Sequence, residues 1–190
     1  MLFRSQYLWE RPDWTNFRWK NENILLALGE CRMLQGKLLS RVADLGFTLE
    51  NQAQIEILTE ETLKTALIEG ENLNAQLVRS SVARKLGLPS AGLRVDHYID
   101  GLVSILLDAT KNHEEPLTQK RLFGWHASLF PTGYSGMHKI RVGKWRGDMP
   151  MRVVSGPIGR ENIHFEAPPS DRISSEIGRF FEWWKTSRGN

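Results

Sequence analysis

The stretch TEETLKTALIEGENLN, residues 59–74, ends one amphipathic helix and turns the chain towards the next. With Ile55 set at zero on a helical wheel, Ala66 falls at about 20° and Glu69 at about 320°. Both residues therefore lie on the apolar face of a helix that Gly70 is placed to stop. A carboxylate at the end of a packing face is unusual and requires a physical explanation.

Two interpretations account for Glu69. A buried carboxylate without a partner is costly, so the fold would have to place a cation beside it. Alternatively, the end of the helix frays, and Glu69 turns to water beside Gly70. The geometry of an ideal helix leaves both interpretations open.

The composition is that of an ordinary globular protein without a disulfide. The 190 residues are 41% hydrophobic and 25% charged, with a net charge of only +3. Cys31 is the only cysteine, which excludes an internal disulfide and most zinc sites. No apolar run has the length of a membrane span, and the first residues lack the features of a signal peptide. We therefore expect a cytoplasmic protein of one domain, with or without a smaller appendage.

Apolar residues at spacings of three and four predict a mainly α-helical fold, with Thr118 placed to cap the fifth helix. Between Tyr134 and Pro169 glycine and proline become frequent, and alternating apolar residues predict one inserted β-hairpin before a last helix. The helical patterns lie within 24–45, 53–68, 74–88, 95–112 and 115–131, the strands near 151–155 and 162–166, and the last helix begins at about 170. The expected segments are an aromatic-rich helical module at 1–50, helices at 51–110, and a part with the hairpin at 111–190.

Motifs of a self-sufficient active site are absent from the sequence. It contains no P-loop, no dinucleotide-binding fingerprint and no Gly-x-Ser-x-Gly nucleophile elbow. The five histidines, at 97, 113, 126, 138 and 164, do not pair at metal-ligand spacing, so we expect no metal site. His126 lies near the apolar side of its helix, where a hydrogen-bonded core histidine is the favoured interpretation over a catalytic base.

Tryptophan is the one unusual count, with seven residues. Three of them fall in YLWERPDWTNFRWK, residues 7–20, and two in FFEWWK, residues 180–185. Aromatic and basic residues in alternation can form a stacking platform for single-stranded nucleic acid. Large aromatic side chains that anchor a segment to the core are the favoured alternative, and we do not expect a nucleic-acid partner.

Several segments of the sequence are similar to those of one known protein family. TALIEG, residues 65–70, fits the pattern Ser/Thr-x-x-x-Glu-Gly/Asn, and in this it resembles the inhibitory motif of Fic-domain proteins. SSVARKLGL, PLTQKRLFGWHASLFP, YSGMHKIRVGKWR, MRVVSGPIG and IHFEAPP are similar to family segments in the same order, and YLWERPDWTNFRW resembles an N-terminal module found on one bacterial group of these proteins. The resemblance implies a helical fold with a β-hairpin flap, and the transfer of AMP from ATP, with Mg²⁺, to a Ser, Thr or Tyr hydroxyl of a protein substrate.

The resemblance also implies roles for individual residues. Glu69 would pair with an arginine of the catalytic loop and stop it from holding the γ-phosphate, while Thr65 would tie the inhibitory helix down and Gly70 would complete the motif. The flap, at about 151–166, would dock the target segment by adding a strand to its edge. The residues implied in docking are Met151, Arg152, Val153, Val154, Ser155, Ile163, His164 and Phe165.

The sequence departs from the family at the catalytic signature His-Pro-Phe-x-acidic-Gly-Asn-Gly-Arg-x-x-Arg, which it does not contain. No catalytic residue is therefore assigned, and we expect the chain alone not to transfer AMP. The first interpretation is the regulatory and target-docking part of such an enzyme, which requires a catalytic segment. The alternative is a free-standing inhibitory or binding module that acts in trans on a catalytic partner chain. Homodimers are common in the family, so a second copy is a further expected partner.

Overall fold

The computed structural model describes residues 7–44 and 47–187, which are mainly α-helical with two small antiparallel hairpins. The predicted fold class is thereby confirmed. None of the helices within these residues combines the length and apolar character needed to cross a lipid bilayer. The helices are α1 (Asn21–Ala43), α2 (Phe47–Ile68), α3 (Ala75–Lys85), α4 (His97–Lys111), α5 (Gln119–Leu129) and α6 (Ile173–Ser187), with short 3-10 turns at Leu8–Glu10 and Ser170–Arg172. The strands are β1 (Tyr134–Ser135), β2 (His138–Lys139), β3 (Arg152–Ser155) and β4 (Asn162–Glu166).

Two local predictions differ from the structure. The α2 helix begins six residues before the predicted start near Ala53, because residues 47–52 lack the glycine or proline that would interrupt a helix. The β1–β2 hairpin was not predicted, since strands of two residues are too short for an alternating pattern. Leu45, the last residue of the first predicted helical pattern, lies outside the described residues.

The chain divides into two compact units. One unit is continuous and contains Leu38–Lys144. The other combines the N-terminal part of the chain, through Lys37, with the part that begins at Trp145. The three segments predicted from the sequence follow chain order, and their boundaries stay a prediction.

The core of the continuous unit lies between α3 and α4. Val78 and Val82 of α3 and Ile99 and Val103 of α4 form its buried cluster. Because each pair is four residues apart on its helix, the two apolar faces meet along one line. Partly buried side chains packed against this cluster are Ile55, Leu58, Leu63, Leu73, Leu77, Leu86 and Leu107.

Side-chain caps determine where three helices of this unit begin. Asn74 accepts hydrogen bonds from the first free amides of α3, and Asp96 does the same for α4. Thr118 caps α5 through the N–H of Arg121 at 3.2 Å, as predicted. Each cap satisfies amides that have no carbonyl partner inside the helix.

A charged cluster joins α4 to α5. The Asp108 carboxylate accepts hydrogen bonds from Arg121 Nε and Trp125 Nε1, both at 2.7 Å, and from the side chain of Asn112 at 2.7 Å. Arg121 also donates to the carbonyls of Asp108 at 2.8 Å, Asn112 at 2.9 Å and Glu115 at 3.0 Å. The guanidinium therefore adds a donor to carbonyls at and just beyond the C-terminal end of α4, and it ties this end of the helix to α5.

The backbones of α4 and α5 lie close together at Gly101. A Cβ atom placed on Gly101 would lie 2.0 Å from the carbonyl oxygen of Ser128 in α5. The obstacle is backbone, which cannot rotate away as a side-chain tip can. A glycine at this position is therefore a steric requirement of the α4–α5 packing.

We expect Gly101→Ala to lower the free energy of unfolding by at least about 2 kcal/mol, because α5 must shift to admit the methyl group. Gly124→Ala in α5 is the matched control, since nothing lies within 4 Å of its Cβ position. The control should leave stability unchanged or raise it by up to about 1 kcal/mol through helix propensity. Urea unfolding of both variants measures the difference, and equal midpoints would contradict the steric explanation.

We expect Asp108→Asn to lower stability by about 2 kcal/mol at neutral pH, because it removes a charged acceptor from three donors. Hydrogen bonds from Asn112 and then Arg121 lower the pKa of Asp108 to about 2, well below the ordinary aspartate value of 3.8. A lowered native pKa stabilises the fold above about pH 4, and this contribution is lost as the pH falls towards 2.

Unfolding measured between pH 7 and pH 2 should therefore show the difference between wild type and Asp108→Asn shrinking below pH 4. Glu114→Gln, at an exposed position of the same unit, is the control and should show no such convergence. A difference that stays constant over this range would exclude the Asp108 carboxylate as its source.

Candidate functional site

Glu69 lies in a tightly defined turn at the C-terminal end of α2. The Gly70 N–H donates to the Leu67 carbonyl at 3.0 Å, and the Glu71 N–H donates to the Ala66 carbonyl at 2.9 Å. Gly70 has a φ of 82°, in the left-handed region that favours glycine. This pair of bonds around a left-handed glycine is a Schellman motif, so the backbone itself places Glu69.

The buried face of α2 ends at Ala66 and does not include Glu69. Thr59, Thr62 and Ala66 are buried, whereas Thr65 and Glu69 are exposed. The expectation that Glu69 continues the packing face is wrong, because the helix ends at Ile68 and the turn carries the next residue out of the helical path. Of the two interpretations open from the sequence, the structure has Glu69 turned to water beside Gly70.

Glu69 has no ion pair with a lysine or arginine within residues 7–44 and 47–187. It lies close enough to Tyr98, the second residue of α4, to act on its ionisation. Burial raises the Tyr98 pKa, and the negative charges of Glu71 and Glu69 raise it further. The end of α2 therefore presents two carboxylates and an accessible Thr65 hydroxyl, which suit the binding of an external guanidinium or ammonium group.

The β3–β4 hairpin has both outer edges free of other strands in the described part of the chain. Its ladder runs from Arg152 opposite Glu166 to Ser155 opposite Asn162. All eight residues implied in target docking, Met151, Arg152, Val153, Val154, Ser155, Ile163, His164 and Phe165, are exposed. Backbone groups on a free edge can pair with an added strand, which is the physical requirement for β-augmentation.

A β-bulge at His164 interrupts the ladder. Val153 pairs with Phe165 and Val154 with Ile163, so β4 has one more residue than β3 at this point. Ser155 Oγ and His164 Nε2 are hydrogen-bonded at 2.6 Å across the strands. The bulge was not predicted from the sequence, because β4 has only five residues and Ile163 and Phe165, two positions apart, fit the alternation of a regular strand.

The N-terminal aromatic segment holds the base of this hairpin within its unit. Trp9 Nε1 donates to the Glu166 carbonyl at 2.7 Å, and the Arg172 guanidinium lies 5.1 Å from the centroid of the Trp9 ring. Tyr7 packs edge-on against Phe165, with ring centroids 5.6 Å apart. The anchoring interpretation of the early aromatic residues is therefore correct for Tyr7 and Trp9. No feature of the sequence predicts which strand Trp9 contacts, because Glu166 lies 157 residues further along the chain.

The remaining candidates have structural roles. His126 is partly buried, and its Nδ1 accepts the Gly143 N–H at 3.1 Å, which confirms the predicted hydrogen-bonded histidine. Among the described residues no three His, Cys, Asp or Glu side chains cluster as a metal site would require. A shallow cavity of about 280 Å³ on α4 and a largely apolar one of about 370 Å³ beside α6 contain none of the predicted site residues.

One comparison with known proteins bears on the N-terminal part. Residues 7–88 match a family described as Domain of unknown function (DUF4172). The matched region includes α1, α2 and α3, and with them residues 65–70, whereas the β3–β4 hairpin lies outside it. No curated protein matches the chain. The family description assigns no activity, so function has to be inferred from the residues themselves.

We expect Trp9→Phe to loosen the hairpin, because phenylalanine keeps a ring but loses the N–H donor to the Glu166 carbonyl. The loss of about 1 kcal/mol corresponds to roughly fivefold faster amide exchange across residues 151–166. Hydrogen exchange followed by mass spectrometry measures this change. Trp19→Phe is the control, since the Trp19 side chain is 68% exposed, and faster exchange in both variants would contradict the anchoring role.

Proposed function

We propose that this chain is the regulatory and target-docking part of a Fic-type protein adenylyltransferase, which transfers AMP from ATP to a Ser, Thr or Tyr hydroxyl of a protein. The observation that carries the proposal is the Glu69 carboxylate, which is exposed, placed by the backbone turn at Gly70 and without a cationic partner in the described part of the chain. The resemblance of residues 65–70 to the inhibitory motif supports the same assignment.

Glu69 acts as a brake on the enzyme by binding an arginine of the catalytic loop. The two oxygens of a carboxylate match the fork of a guanidinium, so the pair forms two parallel charge-assisted hydrogen bonds. An arginine held in this way cannot orient the γ-phosphate of ATP. Glu71 adds negative charge nearby, as its effect on the Tyr98 pKa indicates, and the Thr65 hydroxyl one turn earlier is exposed for a further hydrogen bond.

The β3–β4 hairpin positions the protein substrate. A free strand edge can hold an extended target segment by backbone hydrogen bonds, with little dependence on its sequence. Pairing fixes the acceptor hydroxyl relative to the α-phosphate, which contributes to rate through orientation. The hydrogen bonds and ring contacts of Trp9 and Tyr7 at the base of the hairpin support this role, because a mobile edge would position the hydroxyl poorly.

ATP and Mg²⁺ are cofactors of the complete enzyme, and no residue of this chain is assigned to hold them. Nucleotidyl transfer depends mainly on charges positioned around the phosphates, which the missing signature would supply. The 190 residues alone are therefore expected to be inactive. The alternative is a module that offers Glu69 in trans to a separate catalytic chain, and the exposure of this carboxylate is compatible with that arrangement as well.

The test follows label from α-labelled ATP onto protein, with and without a Fic-type catalytic domain that lacks its own inhibitory helix. We expect no labelling by this chain alone. Added in trans, the chain should reduce labelling by the catalytic domain, and Glu69→Gly should relieve the reduction by about tenfold or more, the value of a lost charge-assisted pair. If the reading frame continues into the catalytic signature, Glu69→Gly in the continuous protein should raise self-labelling to the same extent.

Glu114→Gly is the matched control, because Glu114 is an exposed acidic residue of the same unit that lies outside the motif at residues 65–70. It should leave labelling close to that of the wild type. If Glu69→Gly and the wild type gave equal labelling in both formats, Glu69 would have only a structural role. Labelling of a protein by the 190-residue chain alone, above a denatured control, would overturn the assignment as a non-catalytic part.

A further inference from the structure

The positive charge of this protein is concentrated in one stretch of the chain. Between Glu115 and Asp148 there is no Asp or Glu, whereas six of the 25 Lys and Arg residues lie there. The other 19 basic residues are outnumbered by 22 acidic ones, so the net charge of +3 comes from this stretch. A local excess of one sign attracts partners of the opposite sign. The six residues are Lys120, Arg121, Lys139, Arg141, Lys144 and Arg146.

Two of the six basic residues serve the fold. Arg121 belongs to the Asp108 cluster, and Arg146 donates to the carbonyls of Met149, at 3.4 Å, and of Pro168. The other four are exposed, and none of them has an ion pair with an acidic residue within residues 7–44 and 47–187. Three of these four lie close together in the chain and form what we call the basic segment: Lys139, Arg141 and Lys144.

The backbone holds the basic segment in place at both ends. The β1–β2 hairpin closes through a two-residue loop, and Gly136 at its first position has a φ of 56°. The Ile140 N–H donates to the Gly133 carbonyl at 2.9 Å and so extends the hairpin by one further bond. The Gly143 N–H donates to His126 Nδ1 at 3.1 Å, which ties the far end to α5. A surface fixed in this way loses little conformational freedom when a partner binds.

The side chains around the basic segment distinguish between classes of acidic partner. Tyr134 is 48% exposed and lies opposite Lys139 in the hairpin, so the two side chains share one face. It is the one exposed aromatic residue in 116–144, all of which the structure describes. Single-stranded nucleic acid stacks its successive bases on several aromatic rings, and anionic membranes are bound by clusters of about four to eight basic residues. The basic segment meets neither requirement.

We propose that the basic segment binds an acidic segment of a protein partner, in which Asp or Glu residues occupy alternate positions. Alternate side chains of an extended peptide lie on one side of it, about 7 Å apart. Lys139 and Arg141 have the same spacing of two residues. The Arg141 guanidinium can hold one carboxylate through two hydrogen bonds, and the lysines supply point charges on either side of it. This inference is independent of the proposed enzymatic role.

The first test measures binding of a fluorescently labelled peptide of alternating Glu and Ser by anisotropy. We expect saturable binding that weakens at high salt, and at least about tenfold weaker binding of a peptide of alternating Gln and Ser. The triple variant Lys139→Gln, Arg141→Gln and Lys144→Gln should bind the acidic peptide at least about tenfold more weakly than wild type, because three surface ion pairs are lost together.

A matched control removes the same charge from another surface. The triple variant Arg32→Gln, Lys37→Gln and Arg41→Gln changes three exposed residues of α1 and should bind the acidic peptide within about threefold of wild type, because screening by salt limits the effect of distant charges. Circular dichroism checks that both triple variants are folded. Equal losses of affinity in the two variants would assign the effect to net charge and overturn the proposal.

The second test uses the wild-type protein and needs no variant. A carbodiimide joins the carboxylates of the bound peptide to nearby lysines, and mass spectrometry locates the cross-links. We expect them mainly at Lys139 and Lys144, and an even distribution over exposed lysines such as Lys20 and Lys37 would contradict the proposal.

Competition against the labelled acidic peptide separates the partner classes. Unlabelled acidic peptide should displace it more effectively than an oligothymidine of equal charge or vesicles of phosphatidylcholine with phosphatidylserine. More effective displacement by the oligonucleotide would assign the basic segment to nucleic acid, and more effective displacement by vesicles would assign it to a membrane surface. Either result would overturn the proposal.

Discussion

The left-handed backbone at Gly70 is the constraint on which the candidate site depends. The N–H groups of Gly70 and Glu71 end α2 by donating to the carbonyls of Leu67 and Ala66, and this turn leaves Glu69 exposed to solvent. A residue with a Cβ atom would be strained at this φ of 82°. Without the turn, the helix would continue and carry Glu69 back over the buried face of α2. The position of the carboxylate is thus a property of the backbone.

The carboxylates of the continuous unit differ in whether they have a partner within the described residues. Asp108 and Asp100 are acidic residues of α4 with partners inside the unit, Arg121 for the first and Ser81 and Arg84 for the second. Glu69 has no such cation in the described residues. Asp100 and Asp108 therefore stabilise the fold, whereas Glu69 is available to bind an external cation, as the proposed regulatory role requires.

The β3–β4 hairpin, which belongs to the other unit, is anchored at its base and exposed along its strands. Its base is held by the indole of Trp9 and the ring of Tyr7, while the strand edges stay open. The bulge at His164 limits the regular ladder to a few pairs on either side. A short, anchored edge of this kind can accept a peptide without the long flat surface that promotes aggregation.

The sequence by itself determined the mainly helical class, the β-hairpin near 151–166, the Thr118 cap and the stop at Gly70, because periodicity and turn chemistry act within a few residues. It also identified Glu69 as the unusual residue. Only the tertiary structure decided that Glu69 is exposed, that Trp9 holds the strand ending at Glu166, and that Gly101 admits the backbone of α5. These features depend on the exact path of a turn or on residues far apart in the chain, and no local pattern encodes either.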